Sequence, residues 1–299
     1  MHSTSINVVS RSHLVKNIRN KKNAKINQSV TNDKSVPQID LEKVIQGKNP
    51  RLLKMLPGFL LKYIKRIIHQ DEFNEFLHRT KDVYAHDFVS AALENFHIHV
   101  ISEGAENIPS QGGCIVVCNH PLGGIDGIAV MNEVGKKRND IKALVNDILM
   151  NLENLSSLLI PVNKHSKNAM ENVRRIDQAY ASDECVIVFP AGLVSRRQKG
   201  KIKDLEWMKS FITKAIEYKR NVIPVYVDAR NSNFFYNLAL FRKKIGLKTN
   251  IEMFYLVDEA YKQKGKSIKL TVGLPISFTN FTKNHSDLYW ADQVKEHVY

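Results

Sequence analysis

An α/β fold, with a mostly parallel central sheet flanked by helices and an N-terminal amphipathic helical segment ahead of it, is the architecture this sequence predicts. Three observations lead there. Beyond residue 96, short apolar runs alternate with stretches of helical periodicity, the pattern of repeated βαβ units. The 299 residues are 43% hydrophobic and 25% charged, the profile of a folded chain rather than a disordered or fibrous one. A chain of this length removes roughly three quarters of its unfolded surface from water, so a core forms without a disulfide or a metal.

The chain divides into three regions. Residues 1–49 are expected to be a basic, flexible tail: the first 36 are rich in Ser, Asn and Lys, hold no acid before Asp33 and show no sustained period. Residues 1–70 carry fourteen Lys and Arg against three acids, eleven of the net +14. Such an asymmetry attracts phosphate on nucleic acid or on an anionic membrane, and net charge does not choose between them.

Residues 50–94 form the amphipathic segment. From Pro57, Phe59, Leu60, Tyr63, Ile64, Ile67 and Ile68 recur at helical spacing, with Lys62, Lys65, Arg66 and His69 opposite. Two readings of this helix stay open: it lies in a bilayer interface, or it packs on the core. Residues 72–93 continue as helix. No stretch reaches the roughly 18–20 apolar residues of a membrane span; the longest, 55–68, is interrupted by Lys62, Lys65 and Arg66.

Residues 95–299 are expected to hold the sheet. Its strands fall at 97–101, 114–118, 142–145, 158–162, 185–189, 222–227 and 268–272, and its helices at 127–136, 169–181, 204–219, 234–244 and 287–297. Sites in such folds gather where strands end and loops begin.

Two strand ends carry the chemistry. The run Cys114-Ile115-Val116-Val117-Cys118 leads into Asn119-His120-Pro121-Leu122-Gly123-Gly124-Ile125-Asp126-Gly127. An imidazole at a strand end and an aspartate entering a helix form a carboxylate-oriented base: His is mostly neutral at pH 7 and takes a proton from a hydroxyl, while the carboxylate fixes its tautomer. From these residues alone the plainer reading, Asp126 as a helix cap and His120 as a satisfied strand-end donor, is the favoured one. The second strand end is Phe189-Pro190-Ala191-Gly192-Leu193-Val194-Ser195-Arg196-Arg197-Gln198-Lys199, a turn followed by cations that either holds an anion or is simply solvated. Cys114, Cys118 and Cys185 form no C-x-x-C pair, which argues against a disulfide framework and a zinc ribbon and for a reducing compartment. Cys114, Cys118 and His120 together match no usual zinc spacing, so no metal is expected. The absence of G-x-S-x-G, of a P-loop and of G-x-G-x-x-G removes the main support for a serine hydrolase, a P-loop NTPase and a dinucleotide binder.

In their order these motifs resemble the glycerolipid and lysophospholipid acyltransferase superfamily. Its members carry His-x4-Asp, a block ending in a basic residue, Phe-Pro-Glu-Gly-Thr-Arg-Ser, and a short Val/Ile-Pro-Val/Ile strand. The matching places are His120 with Asp126, the Leu-Leu-Ile-Pro-Val-Asn-Lys block that ends at Lys164, Phe189 through Ser195, and Ile223-Pro224-Val225, within roughly residues 95–275. Here five residues, not four, separate His120 from Asp126. Ala191 stands where the family has Glu, and Val194 where it has Arg, with Arg196 two residues on. These replacements weaken a glycerol 3-phosphate or lysophosphatidate acceptor. The two motif variants look more like a bacterial, partly hemolysin-like branch that acylates lyso forms of amino-acid lipids such as ornithine or glycine lipids.

The resemblance implies O-acyl transfer from an acyl carrier protein or coenzyme A thioester, a co-substrate rather than a cofactor, to a lyso-lipid hydroxyl. His120 would be the base and Asp126 its support. Asn119, Gly123, Gly124, Lys164, Phe189, Pro190, Gly192, Ser195 and Arg196 would contact substrate. Gly123, Gly124 or Gly192 would donate to the oxyanion, and Lys164, Arg196 and Arg197 would neutralise anionic groups. It further implies a peripheral enzyme at the cytoplasmic face of an anionic membrane, without a nucleic-acid partner. A catalytically silent lipid-binding relative and a basic nucleic-acid binder are the competing readings; thioester consumption and salt dependence separate them.

Overall fold

The Val- and Ile-rich runs become strands buried on both faces, as parallel strands covered by helices must be. In the computed structural model, which describes residues 38–48, 50–162 and 169–299, all five residues of β2 (Cys114–Cys118) and all four of β5 (Cys185–Val188) are buried. Around them lie β1 (His99–Glu103), β3 (Ile141–Val145), β4 (Leu159–Pro161), β8 (Asn221–Asp228) and β9 (Ser267–Val272). The sheet order is β1-β9-β8-β2-β5-β3-β4, parallel throughout except where β9 runs antiparallel to β8. The register pairs Cys114 with both Cys185 and Asn221, so β2, β5 and β8 end side by side. Each of the seven expected strands is present.

Alternation along the strands builds two cores. Val116, Cys118, Ile187 and Val225 pack with Phe88, Val89, Ala129 and Val130 from α5 (Ala85–Asn95) and α6 (Gly124–Gly135). Ile115, Val117, Val186 and Val222 pack on the other side with Phe211, Ile212, Ala291 and Val294 from α8 (Ser210–Glu217) and α11 (Asp287–Val298), and with Tyr180 from α7 (Ala169–Ala181). Burying a Phe or Ile side chain of this kind contributes about 1.5–3 kcal/mol.

Several expectations change. Part of the expected tail, residues 41–48, is helix α1 (Leu41–Lys48), tied down where Asn74 Oδ1 accepts from Ile39 N and Gln70 Oε1 from Leu41 N; residues 1–37 lie outside the described residues. A short α2 (Pro50–Met55) follows. The single helix expected over 72–93 is two, α4 (Gln70–Arg79) and α5, because the Thr80 hydroxyl donates to Phe76 O and Asn154 Nδ2 donates to the carbonyls of Thr80 and Val83 in the break. Helix α8 starts at Ser210 instead of 204, since Asp204 is occupied elsewhere. A hairpin, β6 (Arg196–Gln198) and β7 (Lys201–Lys203), replaces the expected basic loop. Helix α9 (Asn233–Lys244) matches expectation, while α10 (Leu256–Tyr261), preceded by a 3-10 turn at Ile251–Tyr255, was not foreseen.

Helix α3 (Gly58–Ile67) divides its apolar residues. Ile67 is buried and Leu60 and Ile64 are half-buried, yet Phe59 is 76% exposed and Tyr63 45%. Among the described residues no helix is long and apolar enough to cross a membrane.

Candidate active site

The parallel register of β2 and β5 delivers the two motifs to the same edge of the sheet. His120 follows β2 and Phe189 follows β5, and their rings meet at 4.5 Å between centroids. Asp126 sits in the first turn of α6, fully buried, and its carboxylate oxygens divide their work. Oδ2 accepts the backbone N–H of Leu122 at 2.8 Å and of Gly123 at 3.2 Å. Oδ1 faces His120 Nδ1 at 3.0 Å. That approach is an ion-pair contact short of linear hydrogen-bond geometry, and neither atom has another hydrogen-bond partner.

Gly123, between His120 and Asp126, has a φ of +94°, open to glycine and strained for other residues. The loop thereby curls around Oδ2 while Oδ1 stays on the imidazole. One oxygen thus holds the backbone of the loop and the other faces the imidazole.

The rest of the loop is fastened from several directions. Asn119 Oδ1 accepts from Val227 N at 2.6 Å and its Nδ2 donates to Val227 O at 3.0 Å, so this amide joins β2 to β8 instead of projecting toward a ligand. His120 N donates to Asp204 Oδ1 at 3.2 Å, and His120 O accepts from Ser195 N at 2.7 Å. Asn231 Nδ2 donates to Pro121 O. Asp204 is itself a hub: it accepts the Ser195 hydroxyl at 2.6 Å and Trp207 Nε1 at 2.9 Å, and its own N–H donates to the Tyr299 hydroxyl. Sequence reasoning missed Asp204, Asn231 and Glu252. The one readable signal was that Asp204 is the first acid after the cation-rich stretch 196–203.

These anchors leave His120 Nε2 as the free face of the ring, without a partner among the described residues, in a side chain 20% exposed. Burial disfavours the charged imidazole, but the Asp126 carboxylate, by charge and contact, and the Asp204 charge outweigh it. Against a smaller opposing effect of Arg196, they raise the pKa of His120 above its ordinary value near 6.5. Burial, with the same two carboxylates, pushes the Cys118 thiol well up, so it stays protonated and is no thiolate nucleophile.

The expected substrate contacts fare differently. Ser195 is buried with its hydroxyl on Asp204. Arg196, 3% exposed, does not reach outward: it donates to Val194 O and to Glu252 Oε1 at 3.0 Å, lies over Phe235, and shares Glu252 with Arg242. Arg197 is half-exposed and held by the neutral amides of Asn233 and Asn237, so no carboxylate offsets its charge. Pro190 is buried and its carbonyl accepts from Met208 N; Gly192, at φ +62°, closes the turn by donating to Phe189 O. With Gly123 N–H on Asp126 and Gly192 N–H on Phe189, Gly124 N–H at the start of α6 is the candidate oxyanion donor left unengaged. Lys164 lies outside the described residues.

Arranged this way, one imidazole nitrogen faces a buried carboxylate and the other has no partner among the described residues. Residues 43–299 match the model of a family described as Acyltransferase. A lyso-glycine lipid O-acyltransferase from Phocaeicola vulgatus is 46% identical over 268 residues, 89% of this chain and 96% of that protein. Another from Bacteroides thetaiotaomicron is 45% identical over 89% of this chain and 98% of its own length. Among solved structures, the 1-acyl-sn-glycerophosphate (LPA) acyltransferase PlsC from Thermotoga maritima aligns with a TM-score of 0.47 at 17% identity, over 85% of this chain and 89% of that one. By a family match that spans both strand-end motifs and relatives alike over nearly nine tenths of its length, the chain belongs to the acyltransferase family and is an acyltransferase.

Proposed function

We propose that this enzyme moves a fatty acyl group from an acyl carrier protein or coenzyme A thioester to the hydroxyl of a lyso-glycine lipid, working as a peripheral protein at the cytoplasmic face of an anionic membrane. The acceptor class rests on the two relatives at 45–46% identity. The observation that carries the mechanism is the His120–Asp126 contact with Nε2 left open.

His120 Nε2 takes the proton of the acceptor hydroxyl as its oxygen attacks the thioester carbonyl. Asp126 Oδ1 keeps the Nδ1–H tautomer and stabilises the imidazolium. Gly124 N–H, at the positive end of α6, donates to the tetrahedral oxyanion. The intermediate collapses by breaking the C–S bond, and the imidazolium returns its proton to the departing sulfur, leaving ester and free thiol. The Ser195 hydroxyl is held by Asp204 and burial raises the pKa of the Cys118 thiol, which supports direct transfer without an acyl-enzyme. Arg197 is the cation disposed to meet a carboxylate or phosphate of either substrate.

The test is product formation by purified enzyme from a long-chain acyl carrier protein thioester and a panel of lyso-glycine, lyso-ornithine and lysophospholipid acceptors. The lyso-glycine lipid is expected to be preferred. His120→Ala is expected to lose about 10²- to 10⁴-fold in rate while melting as wild type; near-normal turnover in a folded sample would remove the mechanism.

A further inference from the structure

Helix α9 lies on the second strand-end motif, yet carries an apolar stripe that the described residues leave largely uncovered. Phe235, Tyr236, Ala239 and Arg242 are its buried side. Phe234, Leu238, Phe241 and Ile245 follow one another at spacings of four, three and four, which places them on one line along the outside. Phe234 is 49% exposed, Phe241 57% and Ile245 56%. Phe254, from the turn at Ile251–Tyr255 packed on α9, is also exposed.

This stripe joins α3. Tyr255 is the link: its hydroxyl is 2.8 Å from that of Tyr63 on α3, and its ring packs edge-on against Phe234 at 5.0 Å. Tyr63 sits one turn from the exposed Phe59. The patch also adjoins the catalytic loop, because the next residue, Leu256, is the neighbour that a side chain at Gly123 would meet at 3.4 Å. Large exposed apolar surfaces of this kind mark interaction sites.

Charge identifies the occupant. Residues 233–251 contain Lys243, Lys244 and Lys248 and no acid, and residues 50–68 contain Arg51, Lys54, Lys62, Lys65 and Arg66 and no acid. The acid nearest in sequence to the first set, Glu252, is buried and held by Arg196 and Arg242. Of these cations only Lys65 has an acidic partner among the described residues, Glu42 at 2.6 Å, and aromatic and aliphatic side chains edged by such an excess of lysine are the composition of a surface that inserts into an anionic bilayer interface. We propose that α9 and the turn after it form a second lipid-inserting element. Together with α3 it makes one continuous surface that seats the catalytic loop at the headgroup level, where a lyso-lipid presents its hydroxyl. The proposal rests on the peripheral-membrane reading above and adds to it the element that fixes the enzyme's orientation.

The experiment measures partition of the full-length chain onto vesicles of phosphatidylglycerol and phosphatidylcholine by sedimentation. It compares wild type, Phe241→Ser/Ile245→Ser, Lys243→Gln/Lys244→Gln/Lys248→Gln, and Phe59→Ser on α3. Because Phe241 and Ile245 are already solvent-exposed, their variant keeps its fold and its turnover of detergent-dispersed acceptor. The α9 variants and Phe59→Ser are each expected to weaken partition about tenfold or more. Bromine-labelled acyl chains are expected to quench the indole of Phe241→Trp beyond any quenching of wild type. If Phe59→Ser loses binding while both α9 variants partition as wild type and Phe241→Trp is unquenched, the α9 element is refuted and the membrane reading stands. If wild type does not partition at all, both fall. Should wild type sediment as a dimer that Phe241→Ser/Ile245→Ser dissociates without altering partition, a second copy covers the stripe and the proposal is overturned.

Discussion

Asp126→Asn separates the two duties of the buried carboxylate. In the native protein one oxygen receives the backbone N–H groups of Leu122 and Gly123, and the other faces His120 Nδ1 at 3.0 Å. Asparagine has one oxygen. The two backbone donors claim it, since both would otherwise be left unpaired in a buried site at about 1–3 kcal/mol each. The amide NH2 is thereby turned toward Nδ1, which must accept, and the ring proton moves to Nε2. An Nε2–H imidazole cannot take a proton from an alcohol, so the whole general-base contribution is forfeited, about 10²- to 10⁴-fold in kcat/KM. The pH profile shifts as well: wild-type activity is expected to rise with pH through an apparent pKa above 6.5, because the proposed mechanism uses neutral His120. Removing the Asp126 charge leaves burial dominant and moves that limb to lower pH. The assay is thioester release in saturating lyso-lipid from about pH 5 to 9, with thermal melting alongside. Asp126→Asn is expected to melt close to wild type, whereas Asp126→Ala, which strands both donors, is expected to lose stability as well as activity. An Asp126→Asn enzyme with a wild-type rate and an unmoved acid limb would refute the orienting role.

Three further outcomes are expected. Arg196→Met leaves Glu252 buried beside Arg242 alone and should cost about 3–5 kcal/mol in urea melts with little change in acceptor KM; a raised KM at unchanged stability would instead make Arg196 a ligand for substrate. The pKa of His120 is raised by folding, so its contribution to stability is complete below the unfolded value near 6.5 and lost as pH climbs through the folded one; the gap in unfolding free energy between wild type and His120→Ala should narrow across that window, and widening with pH would contradict the assigned shift. Lys62→Gln/Lys65→Gln/Arg66→Gln should lower partition onto anionic vesicles by roughly ten- to a hundredfold, since each cation contributes about 1 kcal/mol and Lys65 already faces Glu42; unchanged binding would return α3 to a core-packing role.

The sheet was legible because its strands are apolar without interruption: a run such as Cys114-Ile115-Val116-Val117-Cys118 has no soluble alternative to burial between helices. His120 and Asp126 were legible because both lie within seven residues at a strand-to-helix junction, where local geometry dictates their meeting. What stayed hidden depends on partners far away along the chain. Arg196 reads as a loose cation until Glu252, 56 residues on, neutralises it. Asp204 reads as the start of a helix because its bonds to Ser195, Trp207 and the His120 backbone leave no local trace. Helix α3 could not be assigned to core or membrane from periodicity, since its apolar residues in fact face both ways.

The fasteners of the loop at residues 119–123 come from positions 126, 195, 204, 227 and 231, up to 110 residues away. A chain that stops short of residue 195 therefore keeps Asp126 and lacks every other fastener of this loop, so its geometry depends on sequence that lies far downstream.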